Sequence, residues 1–316
     1  MRAMQLRGYG GPEALHLVEL AEPTPGPGKV LVRVRCASVN PVDWKRAKGS
    51  LRLIMPVRFP AVPGYDVAGD VVSAGAGVSG FAAGMRVHAR IADMNAGSCA
   101  DYAIVGAAEL VQIPDGMPYD VAAALPLAGM TALQGLRDGA GLPLTGAART
   151  RVLVVGASGG VGHIGVQVAK SAGVWVTGVC SGRNVQRVRE LGADEVLDYT
   201  RGDAFAGVAP FDVVLDCVGG DPGPWLRLMA PDARYVSVIP APITFLWPLL
   251  NPFSRRRVKP WMLKKNGDDL RALDALGQRG ALQVVIDGRY PLASLGEAWQ
   301  RSISGRAVGK IVVEVG

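Results

Sequence analysis

Histidine, cysteine and long apolar runs are scarce in this sequence of 316 residues. It contains three histidines and four cysteines, and the cysteines stand far apart without a CxxC pair. This pattern predicts reduced thiols in a cytoplasmic protein and offers no zinc-finger spacing. No apolar run reaches the ~18 residues of a membrane span, and the first residues lack the apolar segment of a signal peptide. We therefore expect no integral membrane segment.

The basic excess has no focus that would indicate nucleic-acid binding. The formal net charge is +7, and the basic residues are dispersed except at Arg255–Arg257 and Lys264–Lys265. No nucleic-acid-binding module is recognisable, so we expect no nucleic-acid partner. An anionic cofactor accounts for part of the excess. The length allows two domains with a substantial core.

The most informative segment is a glycine cluster between a strand and a helix. The β-branched run Val152–Val155 leads into Gly156-Ala157-Ser158-Gly159-Gly160-Val161-Gly162, and apolar residues then recur at helical spacing. Glycines let a backbone approach a pyrophosphate, whose charge the N-terminus of the following helix receives. A glycine-rich loop of an ordinary α/β domain is the alternative, but the flanking strand and helix favour a dinucleotide site. Its candidate contacts are Ser158, Gly159, Gly160, Val161 and Gly162.

The end of the next predicted strand, Val174–Val179, indicates which dinucleotide is bound. An NAD site places a carboxylate about 20 residues past the glycines, on the ribose 2′-hydroxyl. Here the chain reads Cys180-Ser181-Gly182-Arg183-Asn184, without a carboxylate. A hydroxyl at Ser181 and a guanidinium at Arg183 suit a 2′-phosphate. We expect NADPH as the cofactor, the alternative being a solvated Arg183 at the start of a helix.

The texture of the sequence changes near residue 120. Before it, segments such as Val30–Arg35 alternate apolar and polar residues between Pro- and Gly-rich turns, which is typical of antiparallel strands. After it, helical and strand patterns alternate. We predict an α/β protein with a β-domain over 1–120, completed by about 275–316, and a doubly wound parallel-sheet domain over 121–274. Further predicted strands are Phe211–Val218, Tyr235–Ile239, Val284–Ile286 and Lys310–Val315, the last returning to the β-domain.

Seven motifs are spread along essentially the whole chain: NPVDWK (40–45), FPAVPGYDVAGDVVSAGAGVSGFAAGMRV (59–87), AAALPLAGMTAL (122–133), GASGGVG (156–162), LGADEVLDY (191–199), DVVLDCVGG (212–220) and the final GKIVVEV. In this order they resemble the medium-chain dehydrogenase/reductase superfamily, and within it the zinc-independent quinone oxidoreductase and alkenal/enone reductase branch. The resemblance implies a GroES-like β-domain and a Rossmann domain, with an active site in the cleft between them.

The resemblance also bears on metal binding. The positions that hold or neighbour catalytic zinc in related alcohol dehydrogenases correspond here to Asn40, to Tyr65 with Asp66, and to a position near Leu127. A zinc site needs thiolate, imidazole or carboxylate donors in a tetrahedral array, and this set cannot supply one. We therefore expect no metal.

Without zinc, alcohol oxidation has no Lewis acid. The chemistry that remains is hydride delivery from NADPH to a small apolar electrophile, either the activated C=C of an α,β-unsaturated carbonyl or a quinone. A donor to the carbonyl oxygen then raises the rate, and the candidates are Lys45, Asn40 and Tyr65. Asn40 has an alternative role in organising the turn before Pro41, and Tyr65 in packing. Lys45 is the leading candidate, because in the resembling reductases the lysine of this motif contacts cofactor and substrate; a solvated surface lysine is the alternative.

Further cofactor positions follow from the resemblance and from the ends of predicted strands. Tyr199 matches a tyrosine near the adenine and 2′-phosphate, and Thr131 matches a threonine of the nicotinamide pocket. His163 has no orienting partner in the sequence, so we interpret it as a helix-packing residue. The strand ends add Cys217, Val218, Gly219 and Ile239.

The segment 240–262 departs from the family pattern. It combines Arg255–Arg257 with several prolines, which are expected to prevent a long helix, and with large apolar residues that include Phe245, Trp247, Leu249, Leu250, Phe253 and Trp261. It suits an apolar pocket wall or lid, or the contact surface of an expected homodimer. Contact with an anionic membrane surface is the least favoured of these alternatives. A non-catalytic NADPH-binding protein on the same fold is the competing functional class.

Overall fold

The structure, a computed structural model, describes residues 1–91, 95–146, 149–202, 204–239, 241–251 and 253–316. The chain divides into two compact units. The first comprises Met1–Leu127, Lys265–Ala275 and Ile286–Gly316, and the second Ala128–Lys264 and Leu276–Val285. The units therefore change at 127/128, where the sequence predicted 120/121. Residues 265–275 belong to the first unit, 276–285 to the second, and the chain from 286 onward to the first again. The sequence predicted a single change of domain near 275.

The elements follow one another along the chain with short connections. The strands are β1 (Arg2–Leu6), β2 (Leu15–Glu19), β3 (Lys29–Val39), β4 (Asp66–Ala74), β5 (Arg86–Arg90), β6 (Tyr102–Gly106), β7 (Val111–Gln112), β8 (Arg151–Val155), β9 (Trp175–Cys180), β10 (Glu195–Asp198), β11 (Phe211–Asp216), β12 (Met229–Ser237), β13 (Arg257–Pro260), β14 (Ile286–Pro291) and β15 (Lys310–Glu314). The helices are α1 (Pro41–Ala47), α2 (Tyr119–Ala124), α3 (Pro126–Gln134), α4 (Gly162–Ser171), α5 (Val185–Glu190), α6 (Gly223–Leu226), α7 (Pro242–Leu250), α8 (Gly267–Gln278) and α9 (Leu295–Ile303).

The first unit is built on a sheet whose strand order is β14-β15-β3-β4-β5-β7, with β6 also paired to β3. Strand β3 carries the alternation noted in the sequence and pairs antiparallel with β4, β6 and β15. Its apolar face enters a core that includes Val32, Val34 and the fully buried Trp299 of α9. The terminal strand therefore returns to the β-domain, as predicted.

One predicted strand was wrong in its bounds. Val284–Ile286 was expected as a strand, within the segment 275–316 that was predicted to complete the β-domain. The strand instead covers Ile286–Pro291 and pairs parallel with β15 in the first unit. The apolar triplet stood out in the sequence, but the partner strand, which only tertiary structure supplies, sets where pairing begins.

The second unit is built on a parallel sheet of order β10-β9-β8-β11-β12-β13. This order reverses at β8 and is that of a doubly wound dinucleotide-binding sheet. Strands β8 and β11 are buried almost throughout, as both faces of such a sheet are covered by helices. Helix α4 packs on β8 and β9. The predicted α/β fold class is confirmed.

No helix within the described residues combines the length and the apolar composition needed to cross a membrane.

Candidate active site

The glycine cluster forms a tight turn between β8 and α4. Gly156 has a φ of +74°, a conformation that L side chains rarely adopt. A Cβ on Gly162 would lie 2.1 Å from the Gly156 carbonyl oxygen. Only a glycine at position 162 therefore lets the start of α4 pack this closely against the turn after β8. The turn leaves the N-terminus of a ten-residue helix at the carboxyl end of a parallel strand, which suits an anionic pyrophosphate. The residues of this loop fit a dinucleotide.

His163, the residue after the last glycine of the cluster, is a packing residue. Its Nδ1 lies 2.8 Å from the Gly159 carbonyl oxygen, and its Nε2 lies 3.2 Å from the Val285 backbone nitrogen. An imidazole that donates from Nδ1 and accepts at Nε2 satisfies both contacts. The side chain is therefore engaged on both nitrogens within the second unit, in agreement with its interpretation from the sequence.

A polar network joins the glycine turn to the end of β9. The Asn184 side-chain amide donates to the Ser158 hydroxyl at 2.9 Å and to the Ser181 hydroxyl at 3.3 Å. Arg183 follows Ser181 in the short helical turn Gly182–Asn184 and is exposed. The network brings together two segments that the sequence assigned to the cofactor, and a serine, an amide and a guanidinium are all suitable phosphate ligands.

A carboxylate that sequence reasoning missed stands beside this network. A Cβ on Gly182 would lie 2.5 Å from Oδ2 of Asp198, the last residue of β10. The Thr200 hydroxyl and backbone N–H donate to this carboxylate and hold the pKa of Asp198 below its ordinary value. Asp198 could have been found by pairing the predicted strand Val174–Val179 with the next strand along the chain. In the structure β9 and β10 pair parallel and align Asp198 with Cys180.

The other predicted cofactor residues lie in the second unit, most of them at the carboxyl edge of its sheet. Tyr199 directly follows β10 and is 59% exposed. Cys217, Val218 and Gly219 follow β11, and Ile239 lies two residues past β12. Thr131 is instead a buried residue of α3. Ligand crevices of doubly wound sheets form at this edge.

In the first unit, polar groups converge on the buried carboxylate of Asp66. Its Oδ2 accepts hydrogen bonds from the Ser38 hydroxyl at 2.7 Å and from the Asn40 amide at 2.9 Å. Its Oδ1 accepts the Leu127 backbone N–H at 3.0 Å. The Lys310 ammonium lies 3.7 Å from Oδ2 and donates to the Asn40 side-chain oxygen at 2.6 Å. Each charge is thus paired and hydrogen-bonded, which burial requires.

This Asp66 cluster does not fit zinc. It contains Asn40 and Leu127, at or near two positions that align with zinc ligands, and Asp66, which aligns with the neighbour of a third. Asn40 and Leu127 offer no strong donor, and the Asp66 carboxylate is already saturated with hydrogen bonds. The positive charge beside Asp66 is a lysine ammonium, which would oppose a metal cation. In the described part of the chain no group of three or more His, Cys, Asp or Glu side chains is arranged to hold a metal ion.

The turn that carries Asn40 is fixed by Asp43. Asp43 Oδ2 accepts the Asn40 backbone N–H at 2.7 Å, at the start of α1, and burial raises the pKa of Asp43 to about 7. Asp43 therefore caps the N-terminus of α1. With Asn40 2% exposed and its amide bonded at both ends, the geometry favours the turn-organising role of Asn40.

Tyr65 is also interior. It is 3% exposed, and the Arg90 guanidinium lies 5.2 Å from its ring centroid. Burial raises the pKa of Tyr65 to about 12. With Asp43 and Arg46 it lines a cavity of about 20 Å³, whereas a site for a quinone or enone needs ~300 Å³ or more. This environment favours the packing role of Tyr65.

Lys45 differs from these neighbours in having a half-buried side chain on α1. Its ammonium lies 5.5 Å from the centroid of the Trp44 ring, and the indole N–H of Trp44 donates to Ser302 at 3.0 Å. Among the described residues no carboxylate lies within ion-pair distance of Lys45. A cation placed by an aromatic ring and not neutralised by an acid remains available to an anion or a developing oxyanion.

The segment 240–262 begins at Pro240, which lies outside the described residues. Prolines were expected to prevent a long helix, and α7 is nine residues long. Its outward face is apolar, with Phe245 56% and Leu249 78% exposed, and Phe253 beyond it is also exposed. Pocket lid, dimer contact and membrane contact all remain predictions for this surface.

Two family models match the chain. Residues 26–115 match the alcohol dehydrogenase GroES-like domain, and residues 191–313 match a domain described as zinc-binding dehydrogenase. The chain is 38% identical to the chloroplast envelope quinone oxidoreductase homolog of Arabidopsis thaliana, over 99% of this chain and 98% of that protein. The chain belongs to the medium-chain dehydrogenase/reductase superfamily, in its quinone oxidoreductase branch.

Other members of the superfamily agree in sequence and structure. The trans-enoyl reductase pgmF of Aspergillus terreus is 34% identical over 92% of this chain and 87% of its own length. The quinone oxidoreductase structure from Coxiella burnetii has a TM-score of 0.89 and 28% identity, covering 100% of this chain and 99% of the other. Mycobacterial Rv1454c, solved with NADPH, has a TM-score of 0.83 and 27% identity, covering 99% and 100%. As a member of this superfamily the chain is an oxidoreductase that works with a nicotinamide cofactor.

Proposed function

We propose that this chain transfers hydride from NADPH to the activated C=C of an α,β-unsaturated carbonyl, or to a quinone. The observation that carries the proposal is the network in which Asn184 joins Ser158 of the glycine turn to Ser181 at the end of β9. Arg183 lies next to Asn184, on the short turn Gly182–Asn184. This arrangement supports a phosphorylated ribose. The solved relative that holds NADPH supports the same cofactor.

When bound, the cofactor supplies a hydride, which an enone accepts at its β-carbon while negative charge develops on its carbonyl oxygen. Lys45 is proposed to donate a hydrogen bond to that oxygen, because its ammonium has no carboxylate partner among the described residues and is held beside the Trp44 ring. A single such donor contributes ~10²–10³ in rate. Asn40 and Tyr65 are proposed to hold the surrounding turn, since both are buried.

Within this proposal, quinone reduction is the alternative to enone reduction. Relatives named quinone oxidoreductases favour it, and a trans-enoyl reductase among the relatives favours C=C reduction. Anaerobic NADPH oxidation should be measured with a long-chain alkenal, a vinyl ketone and a naphthoquinone. Faster turnover of the alkenal or ketone supports enone reduction, and turnover of the quinone alone supports the alternative.

The same measurements test the competing class from the sequence, a non-catalytic NADPH-binding protein. It predicts saturable NADPH binding without NADPH consumption on any member of that substrate panel. Turnover with any one of them contradicts it.

A cytoplasmic location and a homodimer complete the proposal. The four cysteines are free in the structure and only Cys217 is not buried, which supports a reducing compartment. Size-exclusion chromatography with light scattering measures the mass in solution and so tests the dimer. A mass of one chain would contradict it.

A further inference from the structure

Asp216 is a buried carboxylate at the carboxyl end of β11. The proposed reaction does not use it, yet it receives several hydrogen bonds. Its Oδ1 accepts the backbone N–H groups of Val218 at 2.9 Å and Gly219 at 3.0 Å. Its Oδ2 accepts the Tyr235 hydroxyl at 2.5 Å. The carboxylate therefore closes the loop 217–219 onto the end of its own strand.

The partners of the Asp216 carboxylate in these hydrogen bonds are neutral N–H and O–H groups. Among the described residues Asp216 forms no ion pair, in contrast to Asp66 with its lysine. Burial and the neighbouring Asp216 raise the pKa of Tyr235 above its ordinary value, so the phenol remains a donor. A buried carboxylate without a cation depends on every hydrogen bond it receives. If one oxygen becomes an amide nitrogen, either a loop N–H loses its acceptor or the Tyr235 hydroxyl must turn to accept from the amide.

The loop that Asp216 holds is confined on two sides. A Cβ on Gly156 would lie 2.7 Å from a Val218 methyl carbon, and a Cβ on Gly219 would lie 2.7 Å from the Ile239 carbonyl oxygen. Gly219 has a φ of +79°. The loop thus packs between the glycine turn after β8 and the segment after β12, and a small displacement would alter both neighbours.

We propose that Asp216 is a positioning residue for the nicotinamide half of the cofactor. The inference rests on the proposed function, NADPH binding, and on the sequence-based prediction that Cys217, Val218 and Gly219 belong to the cofactor site. The sheet order supplies the direction: the end of β9, with Ser181, lies on one side of β8, and the end of β11 lies on the other. A dinucleotide whose 2′-phosphate meets Ser181 therefore extends its other half toward the loop that Asp216 fixes.

The test is Asp216→Asn, which keeps the size of the side chain but replaces one acceptor oxygen by a donor. We expect the Kd for NADPH, from fluorescence titration, to rise about tenfold or more. The Kd for adenosine 2′,5′-bisphosphate, which carries only the adenine half, should change less than about twofold, within the range of a weak contact. A general structural defect would weaken both ligands.

The matched control is Asp212→Asn, the same substitution near the other end of β11. Asp212 is exposed and accepts the Arg151 backbone N–H at 2.8 Å, so both Kd values should stay unchanged. Wild-type NADPH affinity in folded Asp216→Asn, or equal weakening of both ligands, would overturn the positioning role.

If Asp216→Asn does not fold, Tyr235→Phe decides the question. This change removes one donor to Asp216, and we expect a smaller, selective loss of NADPH affinity, about threefold. An unchanged Kd for NADPH in that variant would overturn the proposal. Failure of the unmodified protein to bind NADPH at all would instead contradict the proposed function.

Discussion

The two units hold their candidate chemistry in different ways. In the second unit it lies in backbone turns at one sheet edge, where Gly156 and Gly162 lack the Cβ that would block the chain. In the first unit it lies in side chains around Asp66 whose polar groups satisfy one another. A glycine turn leaves a visible spacing in the sequence. A side-chain cluster does not, because burial and partners decide whether an amide or a carboxylate reacts or merely supports.

The largest expected effect is on the buried charges of the first unit. Lys310→Met leaves the Asp66 carboxylate without its cation, and such a loss costs about 3–5 kcal/mol of unfolding free energy. Lys310 is 3% exposed. In contrast, Lys265 pairs with Glu109 at 3.3 Å on the surface, and Lys265→Met should cost under about 1 kcal/mol. Urea unfolding at neutral pH measures both, and equal small losses would show that Asp66 needs no cation.

The next effect separates Lys45 from its supporting neighbours. Lys45→Met should lower the turnover of an α,β-unsaturated ketone by about 10²-fold. The effect on a quinone should be smaller, because a quinone needs less help at its oxygen. The control is Lys48→Met, since the exposed Lys48 ammonium also lies over the Trp44 ring, at 5.9 Å. The Kd for NADPH must be measured on both variants. Unchanged ketone turnover at saturating NADPH would make Lys45 a cofactor or surface residue.

Some features of both units could be predicted from the sequence, and others depend on tertiary contacts. The strand, glycine cluster and helix at 152–171 were predictable, because local periodicity and missing side chains specify them. The return of the last strand was also predictable from its alternation. The partnership of Lys310 with Asn40, 270 residues apart, was not, since nothing local marks it. The burial of Asn40 and Tyr65 likewise depends on tertiary packing, and it is this burial that favours supporting roles for both in the proposed function.

Cofactor choice sharpens the comparison within the second unit. Arg183→Ala should weaken NADPH binding by about 1.5–3 kcal/mol, the contribution of a hydrogen bond to a charged group, and leave NADH nearly unchanged. Arg187→Ala on α5 is the control, because Arg187 is exposed and already lies 3.7 Å from Glu190. Calorimetric titration with both cofactors measures the difference. Equal affinity of the unmodified protein for NADPH and NADH would contradict the assignment.

Asp198 should act in the opposite direction and more weakly. Its ionised carboxylate stands beside Gly182, so it repels a 2′-phosphate through solvent. Asp198→Asn is expected to tighten NADPH binding about threefold at low salt, and the gain should fade as salt screens the repulsion. Glu190→Gln on the exposed side of α5 provides a control for net charge. Weaker NADPH binding in Asp198→Asn would indicate that the carboxylate supports the turn more than it opposes the phosphate.

The smallest expected effect, no change, concerns metal. One matching family model is described as zinc-binding dehydrogenase, but two residues at or near the positions of catalytic zinc ligands, Asn40 and Leu127, donate an amide and a backbone N–H to Asp66. The Lys310 ammonium also lies beside this carboxylate. Zinc binding there would have to displace the ammonium and recruit donors that Asn40 and Leu127 lack. Dialysis against a strong chelator should therefore leave both the melting temperature and NADPH oxidation unchanged, since a structural or catalytic metal contributes directly to one or the other. One equivalent of zinc per chain in elemental analysis, lost together with activity on chelation, would contradict this and would require the Asp66 cluster to rearrange.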